Sequence, residues 1–211
     1  MSDYIDQKER EYQNEIVKLF CDELKYDYLG KLQYAKSKTT LDNGEKNSPI
    51  IDSEVRRFLS SPSNHYTDFQ IEEALRILKE ETRLPDKKRG ILSDTSNSVY
   101  ERLITHIAIQ PDAEHKHENV TLFDFDNPFT NHFAIAEEVS YIDPLTGKHS
   151  RPDIVVYVNG IALCVIELKR STVSLEEGIK QSLSNELDLI PSFFTTTQFL
   201  SLIHISEPTR L

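Results

Sequence analysis

A predicted β-hairpin constrains the fold of this chain more than any other sequence feature. Two apolar runs rich in β-branched residues, residues 154–158 and 161–166, are separated only by Asn159 and Gly160. Asn-Gly between two such runs is the strongest short-range signal for a two-residue hairpin turn, because both turn residues must adopt a positive φ. The sequence therefore predicts two adjacent antiparallel strands within a β-sheet.

Helical and extended patterns surround this hairpin in an order typical of an α/β protein. Helical periodicity covers residues 3–25, 52–59, 67–78, 97–107 and 175–187, and a polar loop is predicted at 37–48. Extended runs cover residues 120–125, 132–142, 153–158, 161–168 and 195–202, with a short strand pair within 26–34. Thr67 and Gln70 have the spacing of a capping box. We expect an α/β core preceded by an N-terminal helical region.

Composition excludes several classes of protein. With 211 residues, of which 38% are hydrophobic and 28% charged, the chain is expected to fold as a soluble globule without disulfide or metal cross-links. The longest apolar stretch, residues 161–166, is too short for a membrane span, and the N-terminus is too charged for a signal peptide, so we expect a cytoplasmic protein with no membrane partner. Cys21 and Cys164 are predicted to be reduced thiols in apolar surroundings.

The charge balance argues against a free-standing nucleic-acid binder. The formal net charge is −11, from 24 basic and 35 acidic residues, so the surface as a whole repels phosphate. The segment 148–180 differs, because its five basic and four acidic residues leave it at +1. A DNA partner is therefore expected to be delivered to this segment locally.

Three charged residues at the ends of the hairpin form the most informative pattern. Asp153 precedes the first strand, and Glu167 and Lys169 end the second. Residues two apart in a strand share a face, and folding about the turn places Asp153 and Glu167 at the same end of adjacent strands. Two close carboxylates, with the carbonyl of Leu168, suit Mg²⁺, and a neighbouring lysine can stabilise charge on a phosphate. The pattern predicts metal-dependent phosphodiester hydrolysis.

Other candidate sites are weaker. Glu-x-Lys in a strand is common by itself, and only its position after the hairpin makes it informative. His115 and His117 have metal-ligand spacing but lie in a hydrophilic segment more typical of a solvated loop. Asp124 and Asp126 are expected to bind turn amides rather than a metal.

The segment RPDIVVYVNGIALCVIELKRS resembles the nuclease motif of the PD-(D/E)xK superfamily, specifically the N-terminal domain of the restriction (HsdR) subunit of type I restriction endonucleases. The flanking segments LFDFDNPFTNHFAIAEEVSY, GIKQSLSNE and IPSFFTTTQF resemble the same family, and the resemblance covers roughly residues 98–200. It implies a restriction-endonuclease-like core, a mixed sheet flanked by helices, that cleaves double-stranded DNA.

The resemblance also implies roles for individual residues. Asp153, Glu167 and Lys169 would form the cleavage site, with Glu15 as a further metal ligand and Gln181 as the first residue of the helix-borne Q-x-x-x-Y motif. At the fourth place after Gln181 this chain has Asn185 instead of Tyr, which can hydrogen-bond but cannot stack. From the residues alone, Gln181 is equally well a solvated helix amide, and Glu15 is better interpreted as a surface acid.

The resemblance divides the chain into an N-terminal helical region (1–115) that contributes to the nuclease domain, the nuclease core (116–200) and a tail (201–211). The tail, SLIHISEPTRL, resembles translated adaptor or vector sequence, and we expect it to be non-native and not to complete the sheet. The family's subunit is also an ATP-driven translocase, but this sequence contains no G-x-x-x-x-G-K-[ST] phosphate loop, so ATP binding is expected only in motor domains outside it.

Three functions remain open from the sequence. The leading hypothesis is the DNA-cleavage domain of a type I restriction subunit that works with methyltransferase and specificity subunits. A free-standing endonuclease of the same fold is the first alternative. The second is a non-catalytic docking module, which the acidic N-terminal half favours and the complete set of Asp153, Glu167 and Lys169 opposes.

Overall fold

The structure is a computed structural model, and it describes residues 2–32, 48–84, 92–110, 117–170, 175–184 and 188–205. Its helices are α1 (Ser2–Lys18), α2 (Asp52–Leu59), α3 (Asp68–Glu81), α4 (Leu92–Ile104) and α5 (Leu175–Ser184). Its strands are β1 (Asp27–Lys31), β2 (Ile107–Ile109), β3 (Glu118–Val120), β4 (Phe133–Glu137), β5 (Tyr141–Ile142), β6 (His149–Ser150), β7 (Ile154–Val158), β8 (Ile161–Arg170) and β9 (Phe199–Ile205).

A five-stranded mixed sheet forms the centre of the fold, with strand order β1-β4-β7-β8-β9. The three inner strands β4, β7 and β8 pair antiparallel, whereas β1 and β9 pair parallel to their neighbours at the two edges. Two further antiparallel pairs, β2 with β3 and β5 with β6, lie outside this sheet. The predicted fold class, an α/β restriction-endonuclease-like core, is confirmed.

The two faces of the sheet are covered by different parts of the chain. On one face, Ile154 and Ile166 pack with Ile16 and Phe20, which come from α1 and the π-helical turn that follows it. On the other face, Val155 and Val165 belong to the core cluster that contains Phe193. Because successive strand residues alternate between faces, α1 covers the even-numbered residues of β7 and the opposite cluster covers the odd-numbered ones.

A second core cluster lies among α2, α3, α4 and the β2–β3 pair, and includes Ile161 at the start of β8. Helix α3 begins with the predicted capping box. The Gln70 N–H donates to Thr67 Oγ1 at 3.3 Å, and the Thr67 N–H donates to Gln70 Oε1 at 2.7 Å. These bonds satisfy backbone donors that a helix start would otherwise leave without partners.

Several predicted elements differ from the observed ones. The strand predicted at 120–125 is wrong beyond Val120, because Asp124 holds a turn there by accepting hydrogen bonds from the Asn127 N–H and the Thr130 hydroxyl, both at 2.8 Å. The predicted binding of turn amides is thus confirmed for Asp124 and stays a prediction for Asp126. The strand pair predicted within 26–34 is a single strand, β1, up to residue 31. The last strand begins later than predicted, because residues Phe193–Thr195 form a 3-10 helix.

The expectation that the tail does not complete the sheet is wrong for residues 201–205. These residues form most of β9, which pairs in parallel with β8 from Cys164–Phe199 to Arg170–Ile205. The non-native origin of the tail stays a prediction, and residues 206–211 lie outside the described residues. Most of the predicted 37–48 loop also lies outside them.

Cys21 and Cys164 are free thiols, as predicted, and both contact the cluster on the α1 side of the sheet. Burial raises the pKa of the Cys164 thiol. Among the described helices, none is long and apolar enough to cross a membrane.

Candidate active site

The turn that joins β7 to β8 has the predicted two-residue form. Asn159 has φ 50° and Gly160 has φ 80°, and the flanking residues Val158 and Ile161 pair with each other. The buried Asn159 side chain holds the turn in place, because its amide donates to the Leu122 carbonyl at 2.8 Å. The hairpin prediction is therefore confirmed at its turn.

At the open end of this hairpin, the structure brings the two predicted carboxylates together. Ile154 pairs with Ile166, so the preceding residue Asp153 and the following residue Glu167 lie opposite each other one step beyond the end of β7. Directly opposed residues of an antiparallel pair project on the same face of the sheet, with Cβ atoms about 4.5–5.5 Å apart. Asp153 and Glu167 therefore lie at the same end of the hairpin, as predicted, and in the structure they also share one face.

A β-bulge at Leu163 makes this pairing possible, and no residue pattern in the hairpin predicts it. The observed pairs are Val156 with Cys164 and Tyr157 with Ala162, which leaves Leu163 as the extra residue in β8. Without the extra residue, the register at the turn would place Ile166 opposite Asp153 and turn Glu167 to the other face.

Asp153 is also tied to the backbone of the strand beside it. Its Oδ2 accepts a hydrogen bond from the Leu168 N–H at 2.8 Å. Because the N–H and C=O of one strand residue point to the same side, the Leu168 carbonyl is directed to the Asp153 side of β8. A backbone carbonyl and two carboxylate side chains are thus placed at one end of the hairpin.

Lys169 completes the predicted set on the same face as Glu167. Its Nζ lies 3.4 Å from Glu167 Oε2, and the two side chains are only 16% and 8% exposed. Helix α5 packs over this lysine at Gly178, where an added Cβ would lie 3.4 Å from Lys169 Cγ and 3.0 Å from Leu202 Cδ2. The absence of a side chain at Gly178 thus allows α5 to approach β8 and β9 closely.

Gln181 is placed by the backbone of α5, three residues after Gly178 and therefore on the same side of the helix. Asn185 and His115 lie outside the described residues, and His117 is exposed.

Glu15 does not join Asp153 and Glu167 in the structure. It is an exposed residue of α1, whose neighbouring Ile16 packs on the face of the sheet opposite the two carboxylates. The residue of α1 that contacts the site is Gln13, a buried amide whose Nε2 donates to the Asp153 carbonyl at 3.3 Å. A polar residue within the apolar stripe of α1 was the available sequence signal for Gln13.

The oxygen ligands present suit Mg²⁺ in kind. The ion prefers one or two carboxylates, with water and phosphate completing its coordination, and Asp153, Glu167 and the Leu168 carbonyl supply such a set. No group of three His, Cys, Asp or Glu side chains in the described part of the chain is arranged to hold a metal. The donors therefore fit a metal shared with substrate and water rather than one enclosed by protein.

A further carboxylate lies on the neighbouring strand β4. Glu137 is buried and opposes Ile154, which places it on the α1 face of the sheet, and it accepts a hydrogen bond from the Tyr28 hydroxyl. Burial raises the pKa of Tyr28, and the hydrogen bond to Glu137 adds to the effect, so the phenol remains a neutral donor.

Next to Glu137, three basic side chains surround Glu138. Arg10 Nη2 lies 3.0 Å from Glu138 Oε1, Arg151 Nη1 lies 3.1 Å from Oε2, and Lys31 also pairs with Oε1. Burial of Glu138 opposes its ionisation, but the hydrogen bond and charge of Lys31 and the charge of Arg151 outweigh it and hold the pKa of Glu138 below its ordinary value. We call these four side chains the Glu138 cluster.

A mixed sheet flanked by helices, with Asp153, Glu167 and Lys169 at the open end of its central hairpin, defines a restriction-endonuclease-like domain. The family model for the type I restriction enzyme R protein N terminus (HSDR_N) matches residues 6–205, and the chain belongs to this family. This match extends past the 98–200 range of the sequence resemblance at both ends.

A protein of Methanocaldococcus jannaschii, named as the MjaIXP endonuclease subunit of a type I restriction enzyme, is 30% identical over 153 residues. The match covers 68% of this chain and 14% of that protein. The chain is thus similar to one small part of a much longer polypeptide.

Proposed function

We propose that this chain is the DNA-cleavage domain of a type I restriction enzyme R subunit and hydrolyses phosphodiester bonds with Mg²⁺. The observation that carries the proposal is the placement of Asp153 opposite Glu167, with Lys169 beside Glu167 on the same face. Membership of the R-protein family supports it, because the arrangement lies inside the matched segment.

The residues at the hairpin end have separate roles in this proposal. Asp153, Glu167 and the Leu168 carbonyl would hold Mg²⁺, whose chemistry when bound is the stabilisation of charge at a phosphate. The Leu168 N–H holds the Asp153 carboxylate in position. Lys169 would place a positive charge at the scissile phosphate, where negative charge grows as water attacks and the P–O bond breaks. Gln181 is proposed only as a secondary contributor from α5, and Glu15 takes no part in this proposal because it is exposed and does not join the two carboxylates.

We also propose that cleavage depends on other parts of the restriction complex. The M. jannaschii relative is about seven times longer than its matched segment, which leaves ample room for an ATP-dependent motor. Methyltransferase and specificity subunits would select the DNA, and translocation would deliver it to this domain. The net charge of −11 supports this dependence, since the isolated surface repels DNA.

Lys169→Ala in the assembled, full-length enzyme tests the catalytic role. Strand cleavage should be lost while ATP hydrolysis and DNA binding remain nearly unchanged, because Lys169 would act only at the scissile phosphate. Lys180→Ala is the matched control, since Lys180 is an exposed lysine of α5 that pairs with Glu176. Normal cleavage by Lys169→Ala would contradict the assignment.

Metal binding is tested separately on the chain itself by calorimetric titration with Mn²⁺. A weak signal is expected for the natural sequence and for Glu176→Gln, and it should disappear in Asp153→Asn. A signal that survives in Asp153→Asn would instead favour the histidines 115 and 117.

The free-standing alternative predicts a different result with supercoiled plasmid, Mg²⁺ and no ATP. Under our proposal the chain alone cuts poorly and without sequence preference, because its net charge of −11 keeps encounters with DNA too brief to hold the scissile phosphate at the site. Efficient, sequence-specific cutting would favour a free-standing endonuclease.

A further inference from the structure

The Glu138 cluster gathers three basic side chains around one carboxylate in an acidic chain. Its three cations and one carboxylate sum to +2, whereas the chain carries −11. The Glu138 side chain is 12% exposed, but those of Arg10, Lys31 and Arg151 are 62%, 35% and 53% exposed. The negative charge is therefore covered, and the positive charges face solvent.

The cluster is assembled from three separate segments at a specialised backbone position. Arg10 comes from α1, Lys31 from the end of β1, and Arg151 from the segment before β7. Glu138 has φ 47°, a left-handed conformation that is uncommon for a residue with a side chain. Such a conformation costs free energy and persists only where the surrounding structure holds it.

The cluster is adjacent to the proposed cleavage site. The Glu138 N–H donates to the Asp153 carbonyl at 2.9 Å, so the two residues lie just beyond the paired ends of the neighbouring strands β4 and β7. Arg151 precedes Asp153 by two residues, which in extended chain is about 7 Å. Phosphates on one DNA strand follow each other at about 3.4 Å of helix rise, so the backbone spacing from Asp153 to Arg151 corresponds to about two phosphates along a strand.

We propose that Arg10, Lys31 and Arg151 bind the phosphates that flank the scissile phosphate, with Glu138 holding the three cations in place. This inference rests on the proposed cleavage function and names the part of the substrate, the phosphodiester backbone of duplex DNA, that the cluster recognises. Contact with the backbone carries no base information, so the cluster positions any sequence that the complex delivers.

The salt dependence of duplex binding by the whole chain tests this role. Each phosphate contact contributes about 0.9 to the slope of log K against log salt concentration. Arg151→Gln should lower the slope by about 1 and weaken binding at low salt several-fold, equally for unrelated duplex sequences. Arg10→Gln combined with Arg151→Gln should lower it by about 2.

Matched variants separate phosphate binding from a structural role. Arg76→Gln is the control, because Arg76 is an exposed arginine of α3 that pairs with Glu73 and Glu80 at 2.7 and 2.8 Å. It should leave the slope unchanged. Arg151→Lys keeps the charge and should keep the slope even if it lowers the midpoint of thermal unfolding.

An unchanged slope in Arg151→Gln would overturn the inference, and so would the absence of measurable duplex binding by the natural sequence at low salt. The variant Asp153→Asn separates a failure of the phosphate-binding inference from a failure of the proposed cleavage function. It should lose the Mn²⁺ signal but keep the salt slope, so that metal binding and phosphate binding are scored independently.

Discussion

Replacing Gly160 with alanine should destabilise the protein by about 2–5 kcal/mol. Gly160 has φ 80°, and an alanine in the left-handed region costs about 1–2 kcal/mol. The added Cβ would also lie 2.6 Å from Glu54 Cβ, 2.7 Å from the Ile51 carbonyl oxygen and 2.9 Å from the Val55 nitrogen. Overpacking of this kind adds about 1–3 kcal/mol.

The neighbouring atoms at Gly160 cannot move away easily, because two of them belong to the start of α2. The Ile51 carbonyl accepts a hydrogen bond from the Val55 N–H at 3.1 Å, and the Ile51 N–H donates to the Gly160 carbonyl at 2.8 Å. Relief of the overlap would break this link between the turn and α2. The upper part of the range is therefore expected.

Gly147→Ala is the matched control. Gly147 also has a positive φ, 67°, but no atom lies within 4 Å of its added Cβ. This variant should show the backbone cost alone, partly offset because alanine has less conformational freedom than glycine in the unfolded chain. Urea unfolding of the two variants should differ by about 1–3 kcal/mol. Equal destabilisation by the two substitutions would refute the argument from the overlap with α2.

Two further predictions concern the ends of the sheet. Glu138→Gln should lower the free energy of unfolding at neutral pH. Because the folded-state pKa of Glu138 lies below its ordinary 4.5, the difference between the two proteins should shrink as the pH falls below 4.5. Urea unfolding at several pH values checks this. Deleting residues 201–211 should lower the midpoint of thermal unfolding and make the position of the Lys169 side chain less fixed. The deletion removes the β9 residues that pair with the end of β8, including Leu202 beside Gly178. An unchanged midpoint would show that this part of β9 contributes little to stability.

Local sequence signals predicted the elements that depend on neighbouring residues. The Asn159-Gly160 turn and the Thr67 capping box are both formed as expected, because each depends on the residues within one turn of the chain. The Glu138 cluster could not be predicted in this way. Its members are separated by up to 128 positions from Glu138, and no local pattern marks them as neighbours.

The bulge at Leu163 shows why the site itself was only half predictable. Counting from the turn places Asp153 and Glu167 at the same end of the hairpin, but it does not decide whether they share a face. The bulged backbone is held by distant segments: the Leu163 carbonyl accepts from the Gln198 N–H at 2.8 Å, and the Ala162 carbonyl accepts from the Thr196 hydroxyl at 2.8 Å.

These long-range bonds determine which face of the sheet carries the chemistry. Hydrophobic burial alone does not decide between the bulged register and the regular one, because the hairpin is buried on both faces. Ile154 would lie opposite Ile166 in the first and Val165 in the second, and both are apolar. The partners supplied by residues 196–198 fix the extra residue at Leu163 and so place Glu167, instead of Ile166, opposite Asp153. The candidate catalytic pair therefore depends on the chain between α5 and β9 as much as on the hairpin that contains it.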